Sequence, residues 1–211
     1  MKDLVLAADP ACPWSWLTVR WLTAVAPHRG LTLRLQPYSL WLRDGETQAA
    51  GLPDFIATIA VETSRQSLRV LRICAALATE ARYADIERLY VEWASRVFTP
   101  GPPQAPTPAV LAESLAAAGL DDTWLPHADS PSWDTPITHQ MDQLDALRPG
   151  NRGAAVPTLL QGDQILLQGA ILAAPVTPEE GLALWDAFAL LTTSPTYVAN
   201  SPTPPPFPAF A

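Results

Sequence analysis

The sequence predicts an α/β fold in which an all-helical insertion divides a small mixed sheet. Near the N-terminus, two short apolar runs flank one helical pattern, which is typical of a strand, a helix and a strand. After a long stretch of helical patterns there follow a helix, two apolar runs joined by a turn, and a last helix. The predicted order is therefore βαβ, the insertion and αββα, with a right-handed crossover between the first two strands.

The first three elements lie close together near the N-terminus. LVLAA, residues 4–8, is an apolar run ended by Asp-Pro and predicts a buried strand. A helical pattern covers about residues 14–26, with a proline in its first turn, where a missing N–H removes no hydrogen bond. We expect Pro27 and Gly30 to end this helix. LTLRLQP, residues 31–37, alternates apolar and polar residues and predicts the second strand.

Residues 52–128 carry helical patterns and no comparable strand signal. Cys74 lies on the apolar face of one of these predicted helices. The proline-rich segment TPGPPQAPTP, residues 99–108, predicts a loop. Thr107 is then expected to be the N-cap of a helix, with the following proline in its first turn. We expect Gly119 to end this helix.

The C-terminal part of the chain returns to mixed patterns. A helix is predicted over about residues 135–147, and VPTLLQG and DQILLQG predict an antiparallel hairpin around Gly162 and Asp163. Thr177 precedes a proline and two acids, which is typical of a capped helix start. The proline-rich residues 194–211 are expected to be extended or disordered unless their aromatic side chains dock.

These patterns divide the chain into three parts. We predict a sheet-containing domain formed by residues 1–45 and 130–193, a helical insertion of residues 46–129, and a C-terminal tail of residues 194–211. A chain of 211 residues is long enough for one core with an inserted subdomain.

The composition excludes several classes of function. The net charge of −8 and the pI of about 4.7 argue against nucleic-acid binding, because phosphates require a basic surface. The N-terminal MKDLVLAADP has too short an apolar run for a signal peptide, and no stretch approaches the roughly 20 apolar residues of a membrane span. We therefore expect a cytoplasmic protein with no membrane partner. His28, His127 and His139 do not have the spacing of a metal site.

The stretch DPACPWSW, residues 9–16, places Cys12 between the first strand and the first helix. The N–H groups and the dipole at a helix start stabilise a thiolate, so we expect a lowered pKa and a nucleophilic Cys12. The alternative is a small buried apolar residue, since free cysteines are among the most buried residues. Farther on, Val156-Pro157 begins a hairpin strand, where proline indicates a sheet edge or a special turn such as a cis bond. The alternative is an ordinary proline at the start of a strand.

Several segments together resemble the thioredoxin fold of the DsbA family. They are DPACPWSW with LTVRWL after it, SLWLRD at residues 39–44, the helical insertion, and GAAVPTLL before the hairpin. Within it, the likeness is greatest to the cytoplasmic, actinobacterial-type branch that includes the mycothiol-dependent nitroreductase. The resemblance implies that Cys12 is the attacking thiolate and that Pro157 is cis and lies beside it. It also implies that the Val156 backbone hydrogen-bonds a bound thiol or peptide, that Trp14 belongs to the site, and that the insertion covers it.

Ser15 departs from the dithiol members of the family, which have a second cysteine at this position. A hydroxyl cannot form a disulfide, so the motif cannot release a mixed disulfide by itself. A one-thiol cycle remains, in which Cys12 attacks a mixed disulfide or is oxidised to a sulfenic acid, and a small thiol regenerates it. Ser15 can donate a hydrogen bond to the Cys12 thiolate and lower its pKa. Cys74 is interpreted as a core residue and not as a substitute resolving thiol.

The candidate site comprises two groups of residues. Cys12 and Ser15 are the predicted catalytic residues. Arg152 is a candidate for binding the carboxylate of a small thiol, with a solvated loop arginine as the alternative. The predicted thiol-binding residues are Pro13, Trp14, Arg152, Ala155, Val156 and Pro157.

These observations favour a cytoplasmic thiol-dependent oxidoreductase with one nucleophilic cysteine and no tightly bound cofactor. Its co-substrate is expected to be a low-molecular-weight thiol (mycothiol, bacillithiol or glutathione), acting on an unknown oxidised substrate. A second hypothesis is a thiol-dependent transferase or isomerase, similar to kappa-type glutathione transferases and 2-hydroxychromene-2-carboxylate isomerases, in which Ser15 or Cys12 stabilises a bound thiolate. A third is a non-catalytic thioredoxin-fold binding protein. The aromatic-rich insertion and the tail are also compatible with a homodimer.

Overall fold

The computed structural model describes residues 2–99, 101, 103–147, 155–170 and 172–193. The predicted tail, residues 194–211, lies outside these ranges. The strands are β1 (Lys2–Ala8), β2 (Leu31–Pro37), β3 (Thr158–Gln161) and β4 (Gln164–Gln168). The α-helices are α1 (Pro13–Arg29), α2 (Leu40–Asp44), α3 (Asp54–Thr79), α4 (Tyr83–Val97), α5 (Ala109–Ala117), α6 (Leu125–Ala128), α7 (Asp134–Ala146) and α8 (Pro178–Thr193). None of these helices is both long and apolar enough to cross a bilayer.

The strands form one mixed sheet in the order β2–β1–β3–β4. β1 pairs parallel with β2 and antiparallel with β3, and β3 pairs antiparallel with β4. The predicted βαβ unit and the predicted hairpin are both confirmed. Ala7 pairs with Thr158, so the C-terminal end of β1 lies beside the residues that precede β3. This register brings two segments that are distant in the sequence to the same end of the sheet.

Helix α1 follows β1 after a short turn. Its N-cap is Cys12 in an extended conformation, and a proline occupies its first turn as predicted. The expectation that Pro27 ends the helix is wrong, because α1 continues through this residue. A proline in the last turn removes one hydrogen bond but does not force the chain out of the helix there. Gly30 ends α1 as expected: it adopts the left-handed conformation and its N–H donates to Ala26 O.

Every described element between β2 and β3 is helical, as the sequence predicts for the insertion. The long helix α3 packs against α4, α6 and α7, while α4 also packs against α1 and β2. The expected cap of α5 by Thr107 is not formed, because Pro108 is already helical and no side chain caps this helix. The domain boundaries themselves stay a prediction.

Helix α2 was not predicted from the sequence. It begins after Ser39, whose Oγ accepts a hydrogen bond from Leu42 N at 3.2 Å. It has only five residues, so a periodic pattern of apolar residues cannot reveal it. Its position matters, because Leu40 and Trp41 pack against the apolar cluster that contains Cys12.

Buried apolar side chains form two clusters. The main cluster joins α1, α3, α4 and the sheet, and it contains Cys74. Cys74 is 1% exposed, and burial raises the pKa of its thiol to about 12, so its interpretation as a core residue is confirmed. The second cluster, called the site cluster below, consists of Ala7, Cys12, Tyr38, Leu68, Leu71, Ala75, Ile137, Met141, Leu144, Val156 and Leu160.

Helix α8 covers one side of α1. Trp21 Nε1 donates to Gly181 O at 2.8 Å, and the rings of Trp21 and Trp185 lie 6.1 Å apart between centroids. At the start of α8, Thr177 Oγ1 accepts from Glu180 N, and Glu180 Oε2 accepts from Thr177 N. This reciprocal pair is a capping box, which confirms the predicted helix start.

Candidate active site

The turn between β1 and α1 places Cys12 at the N-terminus of the helix. Cys12 N donates to Asp9 O at 2.9 Å, and Trp16 N donates to Cys12 O at 3.0 Å, which joins the turn to the first helical hydrogen bond. Pro13 is buried in the first turn, where its missing N–H leaves no donor without a partner. The Cys12 side chain therefore lies at the helix end that carries the positive end of the dipole.

Cys12 also lies against the segment that precedes β3. Its thiol donates a weak hydrogen bond to Val156 O, with 3.7 Å between Sγ and O. The Val156–Pro157 peptide bond is cis, and both residues are buried. The antiparallel pairing of β1 with β3 thus brings together residues that are 144 positions apart.

The pKa of Cys12 is raised, which contradicts the lowered value expected from its place at a helix start. Burial is the largest cause, because the residue is only 4% exposed and a thiolate would lose its hydration there. The hydroxyl and N–H of Ser15 and the N–H of Trp14 lower the pKa, whereas the charge of Asp9 raises it. The helix start acts in the expected direction, but desolvation outweighs it. At rest the Cys12 side chain is therefore a thiol.

Ser15 lies one helical turn after Cys12 and is fully buried. Its Oγ has no hydrogen-bond partner of normal geometry among the described residues, although it lies near the Cys12 thiol and the Tyr90 phenol. A buried hydroxyl without a partner can rotate to donate to a thiolate when one forms. The geometry therefore supports the donor role predicted for Ser15.

Apolar and aromatic side chains surround Cys12. The site cluster draws them from α3, α7, β3 and the residue after β2, so that the insertion and the sheet both contribute. Trp14 and Trp41 are half-buried and pack against this cluster. The Arg65 guanidinium lies 4.7 Å from the centre of the Trp41 ring. The surroundings of the thiol are thus apolar, with a cation at one aromatic wall.

The remaining predicted site residues are placed only in part. Ala155 is exposed beside the buried Val156, and its carbonyl accepts a hydrogen bond from Thr158 Oγ1. Arg152 lies outside the described residues, so its role stays a prediction. In the part of the chain that the structure describes, no three His, Cys, Asp or Glu side chains come together as metal ligands.

Sequence reasoning missed Asp9, which it used only to mark the end of the first strand. Asp9 is fully buried, and its carboxylate accepts hydrogen bonds from Ala11, Leu40 and Ser67. Burial raises its pKa from 3.8 to about 6, although these hydrogen bonds act in the opposite direction. The available signal was an acidic residue directly after a buried strand and three positions before a cysteine.

The model of the Rv2466c-like family, described as mycothiol-dependent nitroreductase Rv2466c, matches residues 11–199 of the chain. This range contains all of the predicted catalytic and thiol-binding residues, from Cys12 to Pro157. Asp9 lies just before it.

Several solved structures share the fold. The cytosolic disulfide reductase DsbM from Pseudomonas aeruginosa with GSH is 20% identical at a TM-score of 0.53, over 90% of this chain and 100% of that one. A probable DsbA oxidoreductase from Streptomyces coelicolor is 16% identical at a TM-score of 0.57, over 100% of this chain and 99% of that one. A 2-hydroxychromene-2-carboxylate isomerase is 15% identical at a TM-score of 0.57, over 90% of this chain and 95% of that one. These likenesses show an α/β thioredoxin-like fold.

Proposed function

Because this chain belongs to the Rv2466c-like family of thiol-dependent, DsbA-like oxidoreductases, we propose that Cys12 is its single redox-active thiol and that a low-molecular-weight thiol completes the catalytic cycle. The observation that carries this proposal is the contact of the Cys12 thiol with Val156 O beside Pro157, with a serine in place of a second thiol. Membership in a family of enzymes leaves no support for the non-catalytic hypothesis.

Cys74 does not fit the role of a resolving thiol. It belongs to the main cluster, whereas Cys12 belongs to the site cluster, and both cysteines are free. The high pKa of Cys74 keeps it protonated at neutral pH, and only a thiolate attacks a disulfide. The second half of the cycle therefore requires a thiol from outside the protein.

In the proposed cycle, the Cys12 thiolate attacks a mixed disulfide, X–S–S–R, formed between a substrate X and a small thiol R. The bond Cys12–S–S–R forms, and X–S⁻ leaves and is protonated. A second molecule of the small thiol, as R–S⁻, attacks the R sulfur, so that the Cys12 thiolate leaves and R–S–S–R is released. The substrate sulfur is reduced, and the small thiol is oxidised.

The residues around Cys12 support each step. The Ser15 hydroxyl and the N–H groups of Trp14 and Ser15 favour the thiolate that forms in the first step and leaves in the second. Once Cys12 ionises, Val156 O loses its donor and becomes available to an amide N–H of the small thiol. Pro157 would then form an apolar wall beside the bound thiol.

The identity and location of the partners follow from the family. Its description favours mycothiol over bacillithiol and glutathione as the small thiol. We propose that Pro13, Trp14 and Ala155 also border the bound thiol, and that Arg152 binds its carboxylate. Such thiols are cytoplasmic reductants, so the proposed location is the cytoplasm. A homodimer and the identity of the oxidised substrate stay predictions.

Intact-mass measurements after incubation with the oxidised small thiols test this proposal. The wild type and Cys74→Ser should each gain one thiol adduct, which reduced thiol removes, and Cys12→Ser should gain none. Series with mycothiol and glutathione disulfides would rank the two co-substrates. If the wild type forms no adduct between pH 6 and 10, or if Cys12→Ser forms one, the one-thiol cycle is wrong.

One observation favours the transferase or isomerase hypothesis as a second candidate. Because its pKa is raised, Cys12 stays protonated at rest and can donate a hydrogen bond to the thiolate of a bound small thiol. In that case reduced thiol would bind and ionise without any covalent adduct. Thiolate absorbance of the bound thiol, measured in Cys12→Ser and in the wild type, separates the two mechanisms.

A further inference from the structure

Asp9 is a buried acid in the turn that holds Cys12, and the cycle proposed above does not use it. Its side chain has no exposed surface. Oδ1 accepts from Ala11 N at 2.8 Å and from Ser67 Oγ, and Oδ2 accepts from Leu40 N at 2.7 Å. Three donors directed at one carboxylate favour its charged form and offset part of the effect of burial.

The donors come from three parts of the chain. Ala11 lies in the turn itself, Leu40 opens α2, and Ser67 lies in the middle of α3. The main chain of Asp9 adds two more links, because its carbonyl accepts from Cys12 N at 2.9 Å and from the Tyr90 phenol of α4 at 3.1 Å. One residue therefore joins the nucleophile to α2 and to both long helices of the insertion.

The charge of Asp9 is poorly compensated. Among the described residues it forms no salt bridge, and the cation that acts on it, Arg43 of α2, is already bound to Asp44. The other titratable groups near it are the Cys12 thiol of the turn and the Tyr90 phenol of α4. Burial raises the pKa of both, and the negative charge of Asp9 adds to this effect. Burial brings the pKa of Asp9 itself to about 6, so the charge is present at neutral pH and lost in mild acid.

We propose that Asp9 is a positioning residue: it holds the turn that directs Cys12 at Val156 O, and its charge adds to burial in disfavouring the thiolate. The proposal rests on the function assigned above, because it concerns the same nucleophile. Asp9 holds the turn through Cys12 N, which donates to its carbonyl, and through Ala11 N, which donates to its carboxylate. At rest the Val156 carbonyl accepts a hydrogen bond from the Cys12 thiol, and the nearby negative charge of Asp9 disfavours a sulfur anion. When Asp9 is neutral, burial still opposes the donors of Ser15 and Trp14, but the repulsion by the carboxylate is gone.

The direction of the effect distinguishes this role from that of a general base. A base that removed the Cys12 proton would make the protein slower when replaced by an amide. A charge that suppresses the thiolate makes it faster. Asp9→Asn keeps the shape and one acceptor oxygen while it removes the charge, so it separates the two possibilities.

The test measures the rate of Cys12 carboxamidomethylation by iodoacetamide from pH 5 to 10, with intact mass to confirm one modified site. Asp9→Asn should react at least about threefold faster than the wild type at pH 7.5, because a nearby buried charge changes an ionisation by that much or more. The two rates should converge below pH 6, where Asp9 of the wild type is protonated. A purely structural role gives no such convergence.

Two further variants keep the test decisive. Ser67→Ala retains Asp9 but removes one donor, so the carboxylate is protonated at higher pH and Cys12 should react faster near pH 7, by a smaller factor than in Asp9→Asn. Asp163→Asn removes an exposed charge from the β3–β4 turn and should leave the rate unchanged. Equal or slower alkylation in Asp9→Asn than in the wild type overturns the proposal. If Asp9→Asn does not fold, an alkylation rate in Ser67→Ala that equals the wild-type rate overturns it instead. Failure of the cycle itself would instead show as an absent thiol adduct on the wild type.

Discussion

Cys12 and Cys74 are both free and buried, at 4% and 1% exposure, and burial raises the pKa of both thiols. Their surroundings differ. Cys74 lies within a helix of the main cluster, and the one hydrogen bond that lowers its pKa comes from its own backbone. Cys12 faces a hydroxyl, two backbone N–H groups, a carbonyl oxygen and a buried carboxylate. Burial is therefore common to both thiols, and what distinguishes Cys12 is the set of polar groups around it that can respond to a charge on the sulfur.

The difference follows from where each cysteine lies on its helix. Within α3, the backbone N–H groups around Cys74 are used by the helix itself. At the start of α1, the first N–H groups have no carbonyl one turn earlier, so those of Trp14 and Ser15 are available to stabilise charge on Cys12. A helix end thus supplies donors that a helix interior does not.

The largest expected effect contrasts the two cysteines directly. Cys12→Ser should lower the rate of thiol-dependent disulfide reduction by at least about 10³-fold, because a hydroxyl does not carry out thiol–disulfide exchange. Cys74→Ala should retain the rate within about twofold and lose only about 1 kcal/mol of stability from a small cavity. Steady-state turnover and urea unfolding check both statements. A Cys74→Ala enzyme as inactive as Cys12→Ser would break the comparison.

A second prediction introduces a new thiol beside Cys12. Ser15→Cys places a cysteine one helical turn away, so the Cys12 adduct should be resolved within the protein and an intramolecular disulfide should accumulate under oxidation. The measurement is intact mass with and without alkylation, which shows the loss of two hydrogens and two protected thiols. Double substitution with Cys12→Ser is the control and should show neither. A long-lived adduct on Ser15→Cys would argue against this geometry.

A third prediction concerns the pH dependence of stability. The pKa of Asp9 rises from 3.8 in the unfolded chain to about 6 in the fold, so the folded protein binds the proton more tightly between these values. The contribution of Asp9 to the free energy of unfolding is fully present below pH 3.8 and is lost as the pH rises through 6. The loss is about 1.4 kcal/mol for each pH unit between the two pKa values, or about 3 kcal/mol in total. Asp9→Asn lacks this loss, so its stability relative to the wild type should improve between pH 4 and pH 7. Urea unfolding at both pH values measures the change, and a difference that stays constant would contradict it.

The smallest expected effect concerns the hydroxyl near Cys12. Ser15→Ala removes a side chain that lowers the pKa of the thiol, so Cys12 alkylation at pH 7.5 should slow by about 3- to 10-fold, which corresponds to the net contribution of one typical hydrogen bond. Ser15→Thr retains the hydroxyl and serves as the matched control. Alkylation that is equally fast in Ser15→Ala would show that the backbone N–H groups suffice.

The sequence allowed prediction of the elements that depend on local patterns. Each of these patterns is contained in a short segment of the chain. They are the apolar run of β1, the alternation in β2, the paired runs of the hairpin and the capped start of α8. Pro27 was misinterpreted because a proline late in a helix resembles one that ends it. Helix α2 was missed because its start depends on the Ser39 cap and on the contact of Leu40 with Asp9.

The site was predictable in its residues but not in its electrostatics. The motif and the proline indicated Cys12, Ser15 and Pro157, and the structure places them together. The sign of the Cys12 pKa shift was wrong because desolvation depends on how the insertion packs over the thiol, which no local pattern shows. Asp9 escaped attention for the same reason: two of its donors are 31 and 58 residues away in the sequence.

The allocation of the two thiols to different clusters has a consequence for the cell. A protein with a vicinal dithiol can hold two electrons and retain an oxidised form after its substrate has gone. In the proposed cycle this chain has no such store, so each turnover would end with the arrival of another small thiol. Its activity would therefore report the abundance of that thiol at the moment of reaction and keep no record of earlier oxidation.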